Sequence, residues 1–273
     1  NDIIILTTAN GFYGEKKVSI TNDKLHNYLS KGDFIYADDG TLKFSVVRVV
    51  GKDIYIKALS SGILKSSKGI NVPFVKIKGK LVTSKDRDMI NFAVTNKVDF
   101  IGISFVESGK HIKHIKNLIR KNIPKVVAKI ENQTGLDNLE DIIEEADVIM
   151  IDRGDLSTET NIEALGVNQK RIINKANELA KPVIVATEML DNMISNPYPT
   201  KAEVLDITNA VLDGASVTML SGETAIGKYP LNSIRVMSKI SSVTMLNKFD
   251  QKRKLMESSK QREVNGMAEA IKN

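Results

Sequence analysis

Beyond residue 75 the chain alternates between short apolar runs and amphipathic helical patterns, and no other feature narrows its fold so far. The apolar runs are VDFIGISF (98–105), KVVAKI (125–130), DVIMI (147–151), PVIVA (182–186) and SVTML (216–220). Between them lie GKHIKHIKNLIRK, TGLDNLEDIIEEA, IEALGVNQKRIINKANELA and TKAEVLDITNAVLDG. SKDRDMINFAVTNK precedes the first run and PLNSIRVMSKISSVTML follows the last. Strands separated by helices form right-handed βαβ units and a parallel sheet. Each run reads as apolar on both faces, as a strand does when it is covered on both sides.

The residues before 75 have a different texture. DIIILTT (2–8), KVSIT (17–21), DFIYA (33–37), TLKFSVVRVV (41–50) and DIYIKAL (53–59) are β-rich, with Asp39-Gly40 and Gly51-Lys52-Asp53 between runs where hairpin turns belong. The expected organisation is a small all-β domain over 1–75 and an α/β domain over 76–245. A charged, weakly helical tail over 246–273 is an extension or the start of a third domain. Five strands suit an open, flavodoxin-like sheet. A barrel needs three more, which on that reading precede Asn1. A barrel without them would expose two parallel edges and its core, so an upstream segment or a partner chain is expected. A start at Asn1 rather than Met likewise reads as a processed, trimmed or partial product.

Composition removes several classes. With no cysteine, disulfides, thiolate metal sites and cysteine nucleophiles are excluded, which fits a cytoplasmic protein. The net charge of +6 raises the question of nucleic acid. The Lys and Arg are dispersed, however, Trp is absent, and no basic stretch is interleaved with aromatics for base stacking, so no nucleic-acid partner is expected. The same positive field draws in small phosphorylated anions. No apolar run approaches the ~18 residues of a membrane span and no secretory leader is visible.

The unusual polar residues come just after the strands. Lys129 and Glu131 close the second run, Arg153-Gly154-Asp155 follow the third, Thr187-Glu188 the fourth, and Ser221-Gly222-Glu223-Thr224 the fifth. In α/β barrels the C-terminal strand ends carry the chemistry, so these groups are expected to face one mouth. Glu131 and Asp155 are hard oxygen ligands suited to Mg²⁺, Lys129 is a compact charge for a phosphoryl oxygen, and Thr187 and Ser221 offer hydroxyls able to pass a proton. Gly154 and Asp155 open the following loop, whose backbone N–H groups can receive an anion. Phosphoryl transfer needs such positioning and charge neutralisation more than a nucleophile. Plainer readings exist for each motif: a strand-end ion pair for Lys129/Glu131, a turn for RGDL, a capping box for SGET, a turn for Asp38-Asp39, and a solvated helix face for His111 and His114.

VVAKIENQTG, IDRGDLS, PVIVATEMLDNM, NPYPTKAEVLDITNAVLDGA and MLSGETAIGKYP, in that order, resemble pyruvate kinase, and DDGTL (38–42) and SSKGINVP (66–73) resemble that family's lid. The resemblance runs from about residue 2 to about 240, and the tail is similar to the approach to the family's C-terminal domain. It implies a TIM-type (β/α) barrel, here with strands 4–8 and an all-β lid. It also implies transfer of a phosphoryl group from phosphoenolpyruvate to ADP, giving pyruvate and ATP in glycolysis. By the same carry-over, Lys129 neutralises the migrating group, Glu131 and Asp155 hold Mg²⁺ (or Mn²⁺), and the Gly154 and Asp155 amides seat the substrate carboxylate. Thr187 lies beside the methylene, Ser221 and Glu223 belong to proton delivery, and Lys68 and Asp39 approach the nucleotide. The family further implies K⁺ and a homo-oligomer, a tetramer. The K⁺ ligands and a phosphate-gripping Arg lie in opening βα units without counterparts here.

The chain also departs from the family's pattern, with Asp152 where Ala is usual, Ser157 for Gly, Glu107 for Arg, Lys201 for Arg and Ile226 for Lys. Two other readings therefore stand beside the kinase. One is a Mg²⁺-dependent lyase or aldolase acting on pyruvate or phosphoenolpyruvate; the other is a non-catalytic relative that binds or regulates a partner.

Overall fold

The computed structural model describes residues 2–38, 40–66, 68–73, 75, 82–119 and 123–248. The chain packs as two compact units, Asn1–Lys181 and Pro182–Asn273.

The first unit begins with a six-stranded sheet. Its strands are β1 (Ile3–Thr7), β2 (Lys17–Ser19), β3 (Phe34–Ala37), β4 (Leu42–Val50), β5 (Asp53–Ala58) and β6 (Ile70–Asn71), in the spatial order β2-β1-β5-β4-β3-β6. β1 and β2 run parallel and the other neighbours antiparallel. Side chains alternate across the sheet, so Leu42, Phe44 and Val46 of β4 and Ile54 and Ile56 of β5 all point into one core. The buried members of that core lie between Leu6 and Val72, giving the β-rich region its own apolar cluster. The β4–β5 link turns at Gly51, with φ +56°, where a side chain would be strained.

Alternating helices and strands follow in the same unit: α1 (Ser84–Thr95), β7 (Phe100–Ile103), α2 (Gly109–Ile119), β8 (Lys125–Ile130), α3 (Gln133–Asp137), α4 (Leu139–Glu145), β9 (Val148–Asp152), α5 (Arg153–Glu159) and α6 (Leu165–Glu178). β7, β8 and β9 are parallel, with Ile103 opposite Ala128 and Lys129 opposite Met150. Val126, Val127, Ala128 and Ile130 of β8 are all buried, the continuous apolar strand that helices on a parallel sheet require. Ile112, Ile115 and Ile119 of α2, Ile142 and Ile143 of α4, and Ile172 and Ile173 of α6 supply the covering layer. β7 departs from the two-faced expectation. Phe100 is 57% exposed, and among the described residues of this unit β7 has only β8 beside it.

Two local differences from the sequence reading have physical causes. The pattern TGLDNLEDIIEEA forms two helices, because Asn138 leaves helical geometry and its side-chain amide donates to the Glu107 and Thr134 carbonyls. RGDL forms the first turn of α5 rather than a loop, with Asp152 as its N-cap.

The second unit contains β10 (Val183–Ala186), α7 (Lys201–Asp213), β11 (Val217–Thr218) and α8 (Gly222–Ala225), then helical backbone over 230–248. β10 and β11 are parallel, with Ile184 opposite Val217. α7 starts at a reciprocal capping box between Thr200 and Glu203 and stops at Gly214, whose φ of +108° ends the helix. Of the expected tail, residues 249–273 lie outside the described residues.

The start of α2 tests the packing. The Gly109 N–H donates to Asp141 Oδ2 at 2.7 Å, and a Cβ there would lie 2.5 Å from the Asp141 carbonyl oxygen. Gly109→Ala is expected to destabilise the fold by about 1–3 kcal/mol. Chemical denaturation reads this directly, and an unchanged midpoint would contradict the close approach of α2 and α4.

Candidate active site

Parallel strands of one polarity bring the ends of β7, β8 and β9 to one level, and there the polar residues of the first unit meet. Lys129, the penultimate residue of β8, reaches Glu131 Oε1 at 2.5 Å and Asp152 Oδ2 at 2.9 Å. It also donates to Ser104 Oγ at 3.2 Å. The ammonium thus makes two ion pairs and one hydrogen bond. Glu131 is fully buried, and its other oxygen, Oε2, accepts the Phe105 N–H at 2.5 Å. Phe105 makes that bond from a left-handed conformation, φ +51°, which a bulky residue adopts only under constraint.

Asp152 closes β9, and Asp155 sits in the first turn of α5. Glu131, Asp152 and Asp155 each offer a carboxylate oxygen, all within 4.8 Å of one another. Asn71, at the end of β6, donates through Nδ2 to Asp155 Oδ1 and to Glu159 Oε1, both at 3.0 Å. Gly154 is buried, and its carbonyl accepts from Ser157 Oγ and Thr158 Oγ1 at 2.9 and 3.0 Å.

Electrostatics follow from crowding carboxylates at low exposure. Burial pushes the Glu131 carboxyl up to about 7 against the pull of the Lys129 ammonium, with the charge of Asp155 adding to the rise. Burial opposes the Lys129 charge, but its bonds to Glu131 and Asp152 outweigh that and hold its pKa above the ordinary value. Burial also raises Glu159, against the bond from Asn71 and with Asp155 adding to the rise. Three carboxylates around one ammonium leave an excess of negative charge. The hard oxygen donor set matches Mg²⁺ or Mn²⁺ rather than a soft metal.

In the second unit, Thr187 and Glu188 follow β10 in consecutive left-handed conformations, φ +67° and +53°. The Thr187 hydroxyl donates to the Ala186 carbonyl at 2.7 Å. A β-branched residue in that region marks backbone strain of the kind that gathers at functional sites. Ser221 is the N-cap of α8, without a side-chain cap bond, so SGET is not the capping box its letters suggest. Instead Glu223, 2% exposed, accepts from Leu190 N at 2.9 Å through Oε1 and from Ser221 N at 2.8 Å through Oε2. It thereby ties the segment after β10 to the segment after β11.

The structure thus brings Lys129, Glu131, Asp152 and Asp155 together in the first unit, and Thr187, Ser221 and Glu223 belong to the second. Lys68 forms an ion pair with Asp38 at 2.6 Å within the β-rich region, and Asp39 lies outside the described residues. His111 is buried rather than solvated, against the sequence reading, and His114 Nε2 lies 3.4 Å from the Arg87 guanidinium. Ser104, Phe105, Asn71 and Glu159 escaped the sequence reading. For Asn71 the only signal was its position in SSKGINVP.

A lysine and paired carboxylates at the C-terminal ends of parallel strands define an α/β protein with barrel-type site placement. The chain matches the family model described as pyruvate kinase, barrel domain, over residues 1–234. It is 41% identical over 235 residues to the pyruvate kinase of Clostridium perfringens, covering 85% of this chain and 49% of that protein. To the pyruvate kinase of Thermococcus litoralis it is 41% identical over 245 residues, 89% of this chain and 52% of the relative. To that of Bacillus licheniformis it is 42% identical over 231 residues, 83% and 40% respectively. The chain belongs to the pyruvate kinase family. It spans about half the length of these first two relatives. The open flavodoxin-like sheet therefore gives way to part of a TIM-type barrel with a β-rich lid. No helix among the described residues is long and apolar enough to cross a membrane.

The raised Glu131 pKa predicts a pH dependence. Its folded value, about 7, lies above the ordinary 4.5, so its contribution to stability is fully present below pH 4.5 and lost as pH rises through 7. Denaturation of chelator-treated protein should show wild type losing roughly 2–4 kcal/mol relative to Glu131→Gln between those limits. Parallel stability curves would show that Glu131 carries no such penalty.

Proposed function

We propose that the protein from which this chain comes transfers the phosphoryl group of phosphoenolpyruvate to ADP, yielding pyruvate and ATP. The observation that supports this most is the half-buried Lys129 ammonium held among Glu131, Asp152 and Ser104, beside Asp155. In this reaction the bond from phosphorus to the enol oxygen breaks and a bond to a terminal oxygen of ADP forms. The enol oxygen keeps the electron pair, and the methylene carbon takes a proton. Lys129 neutralises charge on the moving phosphoryl group, a task that preorganised cations perform without reorganisation cost.

Glu131 and Asp155 would hold Mg²⁺ or Mn²⁺, with the Asp152 carboxylate within reach. When bound, that ion supplies charge neutralisation to the phosphoryl and carboxylate oxygens. The Gly154 and Asp155 amides, at the opening of α5, seat the substrate carboxylate. Thr187 and Ser221 take part in delivering the proton, with Glu223 fixing Ser221 through its backbone N–H. Lys68 and Asp39 serve the nucleotide from the lid, and lid closure keeps water from the phosphoryl donor. K⁺ dependence, a homo-oligomeric state and a cytoplasmic location complete the reading. So does a division into a lid over 1–75, a barrel portion over 76–245 and a tail over 246–273.

Pyruvate formation from phosphoenolpyruvate, assayed on the full-length protein, is expected to require both ADP and Mg²⁺. Pyruvate without ADP would replace the kinase with a phosphatase or lyase. Retained Mg²⁺-dependent substrate binding without pyruvate would replace it with a non-catalytic relative. Lys129→Met should lower turnover by roughly 10³-fold with the folded state retained; unchanged turnover would remove Lys129 from the chemistry.

A further inference from the structure

We propose that Asn71 is a positioning residue that orients the Asp155 carboxylate for a divalent cation, linking the β-rich region to cation affinity. The inference rests on the cation reading of Glu131 and Asp155 given above. Asn71 is 5% exposed, and Nδ2 donates to Asp155 Oδ1 and Glu159 Oε1. A side-chain NH₂ has two protons, and both are used. The opposite amide orientation would set its oxygen against two carboxylate oxygens, so the donor assignment follows from the partners.

Asp155 and Glu159 are four residues apart on α5 and share one face, where two like charges destabilise each other. Asn71 lies between them and supplies a donor to each. A carboxylate held at one oxygen loses freedom to rotate, which is how groups behind a metal ligand tune its affinity.

Asn71 is itself fixed from the other side. β6 pairs antiparallel with β3, Asn71 opposite Tyr36, and the Asp38 N–H donates to the Gly69 carbonyl at 3.3 Å. The next residue reinforces the junction, because the Val72 backbone also hydrogen-bonds Glu159. The turn after β3 comes close as well, since a Cβ on Gly40 would sit 3.2 Å from Thr158 Oγ1. Displacing β6 from α5 therefore removes a donor from Asp155. By linkage, a cation that needs Asp155 in its held orientation favours the docked arrangement of β6, and the docked arrangement favours the cation.

The test measures Mn²⁺ binding to the full-length protein by the loss of the free-ion electron paramagnetic resonance signal. Asn71→Leu keeps side-chain volume but has no donors, and its Mn²⁺ Kd should rise roughly 10-fold to 100-fold. Glu159→Gln leaves the Asn71–Asp155 bond available, and its Kd should stay within about threefold of wild type. A purely structural junction would lower the thermal midpoint of both variants and leave both Kd values unchanged, which would overturn the proposal. If Asn71→Leu does not fold, Asn71→Ala is measured against the same thresholds. Wild type that fails to bind Mn²⁺, or binds it equally well as Glu131→Gln, would instead overturn the cation reading beneath the proposal. Tight binding by wild type and Asn71→Leu alike would leave that reading intact and reject Asn71 alone.

Discussion

The placement of the Lys129 ammonium governs this molecule more than any other polar contact. A cation at the end of a buried strand is tolerated only with acceptors at hand, because an unpaired charge there would cost far more than a single contact returns. Glu131, Asp152 and Ser104 meet that demand from three successive strand ends. They can do so only because β7, β8 and β9 run parallel and in fixed register, so that the residues finishing each strand emerge side by side. The apolar helices covering β8 and β9 hold the register. The site is therefore a consequence of the βα alternation rather than an addition to it.

The same arrangement concentrates strain where the strands stop. Phe105, Thr187 and Glu188 all adopt left-handed backbone conformations just beyond a strand, each at a cost of order 1–3 kcal/mol. Two of the three have a visible structural consequence. The turn at Phe105 aims its N–H at Glu131, and Thr187 folds its hydroxyl back onto the preceding carbonyl. Burial elsewhere offsets this, with fully buried Ile, Val and Ala side chains on β8, β9, α2, α4 and α6. The strand ends can be strained because the strand middles are so well covered.

What the sequence disclosed follows from the same division. Alternating apolar runs and helical patterns are long-range periodic signals, and all five expected strands appear within a few residues of their expected bounds. The polar strand-end residues stood out because a carboxylate or ammonium directly after an apolar run is conspicuous. Asn71 was not, since β6 is two residues long and carries no period, and its partners lie 84 and 88 positions away. Arg-Gly-Asp-Leu gives little helical signal in so short an element and is compatible with either a turn or an anion-receiving loop, whereas the seven residues of α5 form a helix with Leu156 and Thr158 buried. His111 looked solvated beside His114 at three-residue spacing, yet it lies on the edge of the buried stripe of α2 marked by Ile112 and Ile115.

Asp152 shows how one departure changes a site without dismantling it. With a methyl group at this position, Lys129 would keep the ion pair with Glu131 and the bond to Ser104 Oγ. With the aspartate, the ammonium stands in two ion pairs and one hydrogen bond. An anionic group seeking the ammonium must then compete with a carboxylate that is already in place. A divalent cation held by Glu131 and Asp155 would have the Asp152 carboxylate within reach, since one oxygen of each lies within 4.8 Å of the others.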